Sequence, residues 1–172
     1  MVTTDQKGAI AETAIAAAAT KLGIGVLRPL SPARYDLAFD LAGKLLRVQC
    51  KWAVRRQDGV TVWCRRARRG PEGFIHLSYS RAEVDLIAAY CADLNCTYVL
   101  PPDVFDERHA IQLRLTPTRN NQKSGIRWAR DFEIERLGFL ARGAVAQLGE
   151  RRAGSAKATG SSPVGSTSLR HI

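Results

Sequence analysis

RYDLAFDLAGKLLRVQCKWA, residues 34–53, is the stretch on which the fold turns. Its two halves, RYDLAFD (34–40) and KLLRVQCKWA (44–53), each read as a β-strand, joined by a short turn around Ala42-Gly43. Side chains alternate across a strand, so Leu46, Val48, Cys50 and Trp52 share one face and Arg47, Gln49 and Lys51 the other. On the first strand Tyr35, Leu37 and Phe39 alternate with Asp36. A carboxylate and a Gln-x-Lys pair can therefore meet on one side of a hairpin. That combination suits a divalent metal, a water and a phosphate.

Upstream, Asp5 can cap a helix from about Gln6 to Leu22, with Gly23 as its stop. Ala11, Ile15, Ala18 and Leu22 form its apolar side, and Glu12 lies at the edge of that side. The plainer account of Glu12 is a solvated acid near the positive end of the helix. A short strand follows at Gly25–Arg28, and Pro29 and Pro32 interrupt what comes next. Downstream, Asp58-Gly59 makes a tight turn, and Val60–Arg66 is a β-run expected antiparallel to the Gln49 strand. Arg65, Arg66, Arg68 and Arg69 then crowd a loop ending at Gly70-Pro71. Ser80 with Glu83 has the spacing of a capping box and predicts a helix over RAEVDLIAAYC (81–91). Thr97–Leu100 and Ile111–Leu115 read as two more strands. The sum is an α/β (α+β) order, with a mixed β-sheet flanked by helices.

These residues resemble the PD-(D/E)xK nuclease superfamily, and within it the small bacterial endonucleases associated with group I introns. Asp36 matches the motif's aspartate, Lys51 its lysine, and Gln49 stands where an Asp or Glu is usual. The match continues through KGAIAETAIAAAATKLG (7–23), where Glu12 fits the helix-borne acid, and through SYSRAEVDLIAAYC (78–91), TYVLPPDVF (97–105) and TPTRNNQKSGIRWARDF (116–132). The resemblance implies a restriction-endonuclease-like core over 1–140. It also implies a metal-dependent, site-specific double-strand DNA endonuclease of the homing type. Glu12, Asp36, Gln49 and Lys51 would be catalytic, with Asp36, Glu12 and the Cys50 carbonyl holding Mg²⁺ or Mn²⁺. Gln49, a neutral amide, is a weaker ligand for a hard cation than the carboxylate it replaces. The homing branch works as a tetramer, and one small site per chain calls for a homodimer or homotetramer to cut both strands. A Holliday-junction resolvase, a restriction-like nuclease, a non-catalytic DNA-binding protein on a decayed nuclease fold, and an RNA-binding protein are the competing readings.

Composition agrees with a basic globular protein. The chain has 172 residues, 45% of them hydrophobic, and a formal net charge of +10, which points to a polyanionic partner. Arg55, Arg56, Arg65, Arg66, Arg68 and Arg69 form one candidate DNA-binding group. Arg119, Asn120, Asn121, Gln122, Lys123 and Arg127 form a second, whose mixed donors make it the better candidate for reading bases. The plainer account of both is solvated loops. No apolar run is long enough to cross a membrane and no signal-peptide pattern opens the chain, so a cytoplasmic protein is expected. Cys50, Cys64, Cys91 and Cys96 are scattered without a CxxC pair, which favours reduced thiols used as small core residues over a zinc site. After about residue 141 the chain becomes small, polar and basic, which predicts disorder. VAQLGER and GSSPVG in that tail look like translated D-arm and T-arm sequences of a tRNA gene. That likeness makes a tRNA-gene duplex an expected target and the tail a by-product of overlapping genes.

Overall fold

The computed structural model describes residues 2–117 and 124–137. The predicted tail and Arg119, Asn120, Asn121, Gln122 and Lys123 lie outside the described residues. Helix α1 (Thr4–Lys21) opens the chain, followed by strands β1 (Gly25–Leu27), β2 (Leu37–Leu41), β3 (Lys44–Trp52), β4 (Val54–Arg56) and β5 (Gly59–Trp63). Then come β6 (Arg65–Gly70), β7 (Gly73–Ser78), β8 (Leu86–Cys91), β9 (Cys96–Leu100), the single turn of α2 (Pro102–Phe105) and β10 (Ala110–Arg114).

α1 is capped by Thr3, not Asp5. The Thr3 hydroxyl accepts from the Gln6 N–H at 3.2 Å, and the Gln6 side chain accepts from the Thr3 N–H at 2.9 Å. This reciprocal box satisfies two otherwise unpartnered donors, while Asp5 sits in the first turn, where the helix dipole favours it. Ala11, Ile15 and Ala19, four residues apart, are its buried stripe, and the two small alanines flanking Ile15 let the helix lie close on β3 and β8. Gly23 ends the helix at φ 78°, a left-handed conformation that suits glycine.

The main sheet has the order β1-β2-β3-β8-β9, with only the β3–β8 pair parallel. β2 and β3 form the expected hairpin. Ala42 and Gly43 both take positive φ, 55° and 83°, and the Asp40 carboxylate accepts from the Gly43 N–H at 2.9 Å. Leu37 faces Val48 and Phe39 faces Leu46 across the pair, on the side covered by α1.

The structure corrects the predicted helix at 81–91: Leu86–Cys91 is β8, a central strand. Leu86 and Ala88 pack into the core under α1, while Ile87, Ala89 and Cys91 pack into a second core on the other face. A strand covered on both faces reads as an unbroken apolar run, so the alternation that marks other strands is missing here. Ser80 and Glu83 do bond, but they close a single turn. β5 also differs from expectation. It pairs with β4 and β10 in a separate three-stranded antiparallel sheet, because β3 already has β2 and β8 as neighbours. Arg65–Arg69 are not a loop: they form β6, which pairs with β7 alone.

Asp85 fixes the start of β8 against β3. Its carboxylate accepts from the Arg47 N–H at 2.8 Å and from two guanidinium nitrogens at 3.0 Å each, and its own N–H donates to the Arg47 carbonyl at 2.9 Å. The hydrogen bond from Arg47 holds the Asp85 carboxyl below its ordinary range. A carboxylate with a lowered folded pKa contributes stability above its unfolded value and loses it as pH falls through the folded value. Asp85→Ala is expected to cost about 1 kcal/mol at neutral pH, since the pair is part-exposed, and to lower Tm by about 2–4 °C. Thermal melts at pH 7 and pH 3 check this: the deficit should shrink in acid, and an equal deficit at both would contradict it.

Candidate active site

Asp36 lies one residue before β2, and its N–H still donates to the Val48 carbonyl at 3.0 Å. That bond carries the hairpin register one step further and sets Asp36 beside Gln49 and Cys50. One oxygen of the Asp36 carboxylate, Oδ2, accepts from the Cys50 N–H at 2.7 Å and from the Gln49 amide nitrogen. A strand residue directs its N–H and C=O to the same side, so the Cys50 carbonyl also faces the Asp36 side. Gln49 is only 9% exposed. Burial raises the Asp36 pKa above its ordinary 3.8; the Cys50 N–H, the Lys51 and Arg28 charges and the Gln49 amide oppose it without prevailing.

Lys51 projects from β3 toward the second core, opposite α1. Its ammonium donates to the Tyr79 hydroxyl and to the Arg65 carbonyl, both at 3.1 Å, and lies 4.7 Å from the Tyr79 ring centroid. Burial pushes its pKa below the ordinary 10.5, with the Asp36 charge pulling the other way. Burial raises Tyr79 to about 12, so its hydroxyl stays protonated and its oxygen serves as the acceptor. Lys51 forms no ion pair among the described residues. An ammonium has three N–H groups, and with two in use one remains for an incoming oxygen.

Glu12 is placed differently. It stands on α1 and pairs with Arg28 at 2.9 Å, not with Asp36. Even so, the charges of Asp36, Glu12, Arg28 and Lys51 all act on the Cys50 thiol, which burial pushes well above its ordinary value. The four charged groups thus lie within electrostatic reach of Cys50 without forming one contact network. Among the described residues no three His, Cys, Asp or Glu side chains come together as a ready metal cluster. The oxygens on offer are the Asp36 carboxylate, the Cys50 carbonyl, the Gln49 amide oxygen and, nearby, the Glu12 carboxylate. All are hard donors of the type Mg²⁺ and Mn²⁺ accept. A buried carboxylate whose desolvation outweighs its present partners is a place where an added cation would be favourable, so the donor set fits such an ion.

Arg28 and Tyr79 were not legible as site residues. Arg28 follows a three-residue strand, Tyr79 precedes a turn, and only the packing brings each to the site. Of the basic residues, Arg55 and Arg56 are exposed on β4. Arg56 also lines a cavity of about 830 Å³ with Arg108, Arg114 and Arg127. Arg66 bonds Glu83 at 2.8 Å, and Arg65 lies over the Trp63 ring at 4.6 Å.

Three comparisons with known proteins bear on this arrangement. A family model described as PD-(D/E)XK endonuclease matches residues 2–135. Among solved structures, the bacterial homing endonuclease I-Ssp6803I superposes with a TM-score of 0.66 at 31% identity, covering 84% of this chain and 98% of that one. No curated protein matches the chain. The mixed sheet with α1 on one face is the restriction-endonuclease-like fold that the sequence resemblance implied.

Proposed function

Because the chain belongs to the PD-(D/E)XK endonuclease family, we propose that this nuclease is a metal-dependent, site-specific enzyme that cuts double-stranded DNA in the manner of a homing endonuclease. The observation that carries the reading is the joined set Asp36, Gln49 and Cys50 with Lys51 half-buried beside it. Asp36, the Cys50 carbonyl, the Gln49 amide oxygen and Glu12 would hold Mg²⁺ or Mn²⁺. Such an ion, when bound, lowers the pKa of a water and offsets charge on phosphate oxygens.

The chain's own residues supply the rest. Lys51, steered by Tyr79 and the Arg65 carbonyl, points its remaining N–H at a water or a scissile phosphate oxygen and stabilises charge that grows there. Its burial makes that interaction stronger than it would be in water. Among the described residues Oδ1 of Asp36 has no hydrogen-bond partner and would serve the reaction centre, while Oδ2 is held by Cys50 and Gln49. Arg28 holds Glu12 at the edge of the site. One chain offers one such site, so a homodimer or homotetramer would cut both strands.

A non-catalytic DNA-binding protein is the second reading, favoured by Gln49 standing for a carboxylate and by Glu12 being engaged with Arg28. Purified protein incubated with linear genomic duplex DNA and Mg²⁺, with ends mapped by sequencing, separates the two. Discrete ends at recurrent positions, lost when EDTA replaces Mg²⁺, are expected; tRNA genes are the first loci to inspect. No cutting in Mg²⁺ or Mn²⁺ would favour the second reading, and cutting confined to four-way junctions would make the protein a resolvase.

A further inference from the structure

We propose that the β6–β7 ribbon enters the major groove and reads base edges beside the cut, an inference that rests on the reading of this chain as a duplex-DNA nuclease. The ribbon is a two-stranded sheet of its own. It begins at the active site, since the carbonyl that accepts from Lys51 belongs to Arg65, the first residue of β6. From there it runs out through six residue pairs to Gly70 and Gly73. Six pairs extend about 20 Å, the length of roughly six base-pair steps. A two-stranded ribbon is one of the two protein shapes that the major groove admits.

Its surface is that of a contact element. Phe74 is 71% exposed, a large apolar side chain that a solvated hairpin would not hold out to water, while Ile75 at 42% and Leu77 at 38% belong to the opposite face. Arginine dominates the partner strand, so the ribbon pairs apolar contacts with positive charge, which complements DNA and not an apolar protein surface. The pairing register identifies the reading face. Arg65 lies opposite Ser78, Ala67 opposite His76 and Arg69 opposite Phe74, and directly opposed residues in an antiparallel pair share a face. On the other face Arg66 is taken up by Glu83, and the Ile75 side chain lies over Gly70, where even an added Cβ would come within 2.8 Å of it. Arg69, Phe74 and His76 are exposed on the first face. Arginine can pair with guanine O6 and N7, an imidazole can donate to the same edge, and Phe or Ala can pack on a thymine methyl. The small Ala67 between them allows the bases to approach.

The test is selection of bound sequences from a random duplex library in EDTA, where no cutting is required, with wild-type protein and the Phe74→Ala/His76→Ala variant. Wild-type protein is expected to enrich a contiguous block of about six base pairs. Methylation of guanine N7 in that block should block binding, because N7 faces the major groove. The variant should flatten that block and bind the selected duplex about tenfold to a hundredfold more weakly, with unchanged mass in sedimentation. An unchanged preference, no preference in the wild type, or interference only at adenine N3 in the minor groove would each overturn the proposal. So would loss of assembly mass in the variant, which would mark the ribbon as a contact between copies of the chain. The methylation arm needs no variant, so a misfolded variant would not rescue or sink the idea. Loss of the preferred block with no Mg²⁺-dependent cutting by wild-type protein would support the ribbon and defeat the nuclease reading. Cutting with an unaltered block would do the reverse.

Discussion

Lys51→Met protein is expected to bind duplex DNA and to cut it about a hundredfold to a thousandfold more slowly, the usual consequence of removing one charge-stabilising donor from a closed site. The same protein should melt at a higher temperature. Lys51 is a half-buried cation with two neutral acceptors and no ion pair among the described residues, and desolvation is the largest influence on its titration. Methionine has similar length and no charge to desolvate. The Arg65 carbonyl loses a donor, which offsets part of the gain. A net rise of about 1 kcal/mol, or about 2–4 °C in Tm, follows. The pH dependence has a definite sign. A lysine whose folded pKa is lowered destabilises the fold at all pH values below that pKa, and the penalty disappears as pH rises past the ordinary 10.5. The thermal advantage of methionine should therefore be greatest below the lowered folded pKa and shrink as pH rises toward 10.5. Unimpaired cutting by Lys51→Met would remove Lys51 from the reaction, whatever the melting curve does.

Gln49→Glu is expected to act in opposite directions on the metal-free and metal-bound protein. In the native chain the Gln49 amide donates to the Asp36 carboxylate in a part-buried hydrogen bond. Glutamate has no such donor when ionised, so two carboxylates would face each other where burial already opposes the charge on Asp36. In EDTA the variant should lose about 2 kcal/mol or more, because a buried charge is left without its partner. It should recover in acid, as the pair takes up a proton and shares it. With Mg²⁺ the second carboxylate becomes a better ligand than the amide, so the variant should gain more Tm from added Mg²⁺ than the native protein does. Equal Mg²⁺-induced shifts in the two proteins would place position 49 outside any metal site.

Much of the site was legible because strand geometry is local. The two-residue repeat of β3 was enough to separate Val48 and Cys50 from Gln49 and Lys51, and the short turn at Ala42-Gly43 aligned Asp36 with Gln49. Two segments misled. LIAAYC lacks alternation since both its faces are buried, and with Ser80 and Glu83 ahead of it the run resembled a capped helix. The arginines of β6 resembled a loop because none of the described side chains of their ribbon is buried, so nothing imposes an apolar face. Arg28 and Tyr79 carry no local mark at all, since each reaches its partner across many residues of chain.

By itself the sequence determined which side chains share a strand face, that the polar set Asp36, Gln49 and Lys51 sits together, and which family the chain resembles. Backbone periodicity depends only on near neighbours, so a linear string carries it in full. The tertiary structure decided that Lys51 packs against Tyr79, that Glu12 is held by Arg28, that β8 fills the centre of the sheet and that β6–β7 forms a sheet of its own. Those outcomes depend on burial and charge pairing between segments far apart in the chain, and such contacts exist only once all the layers have packed together.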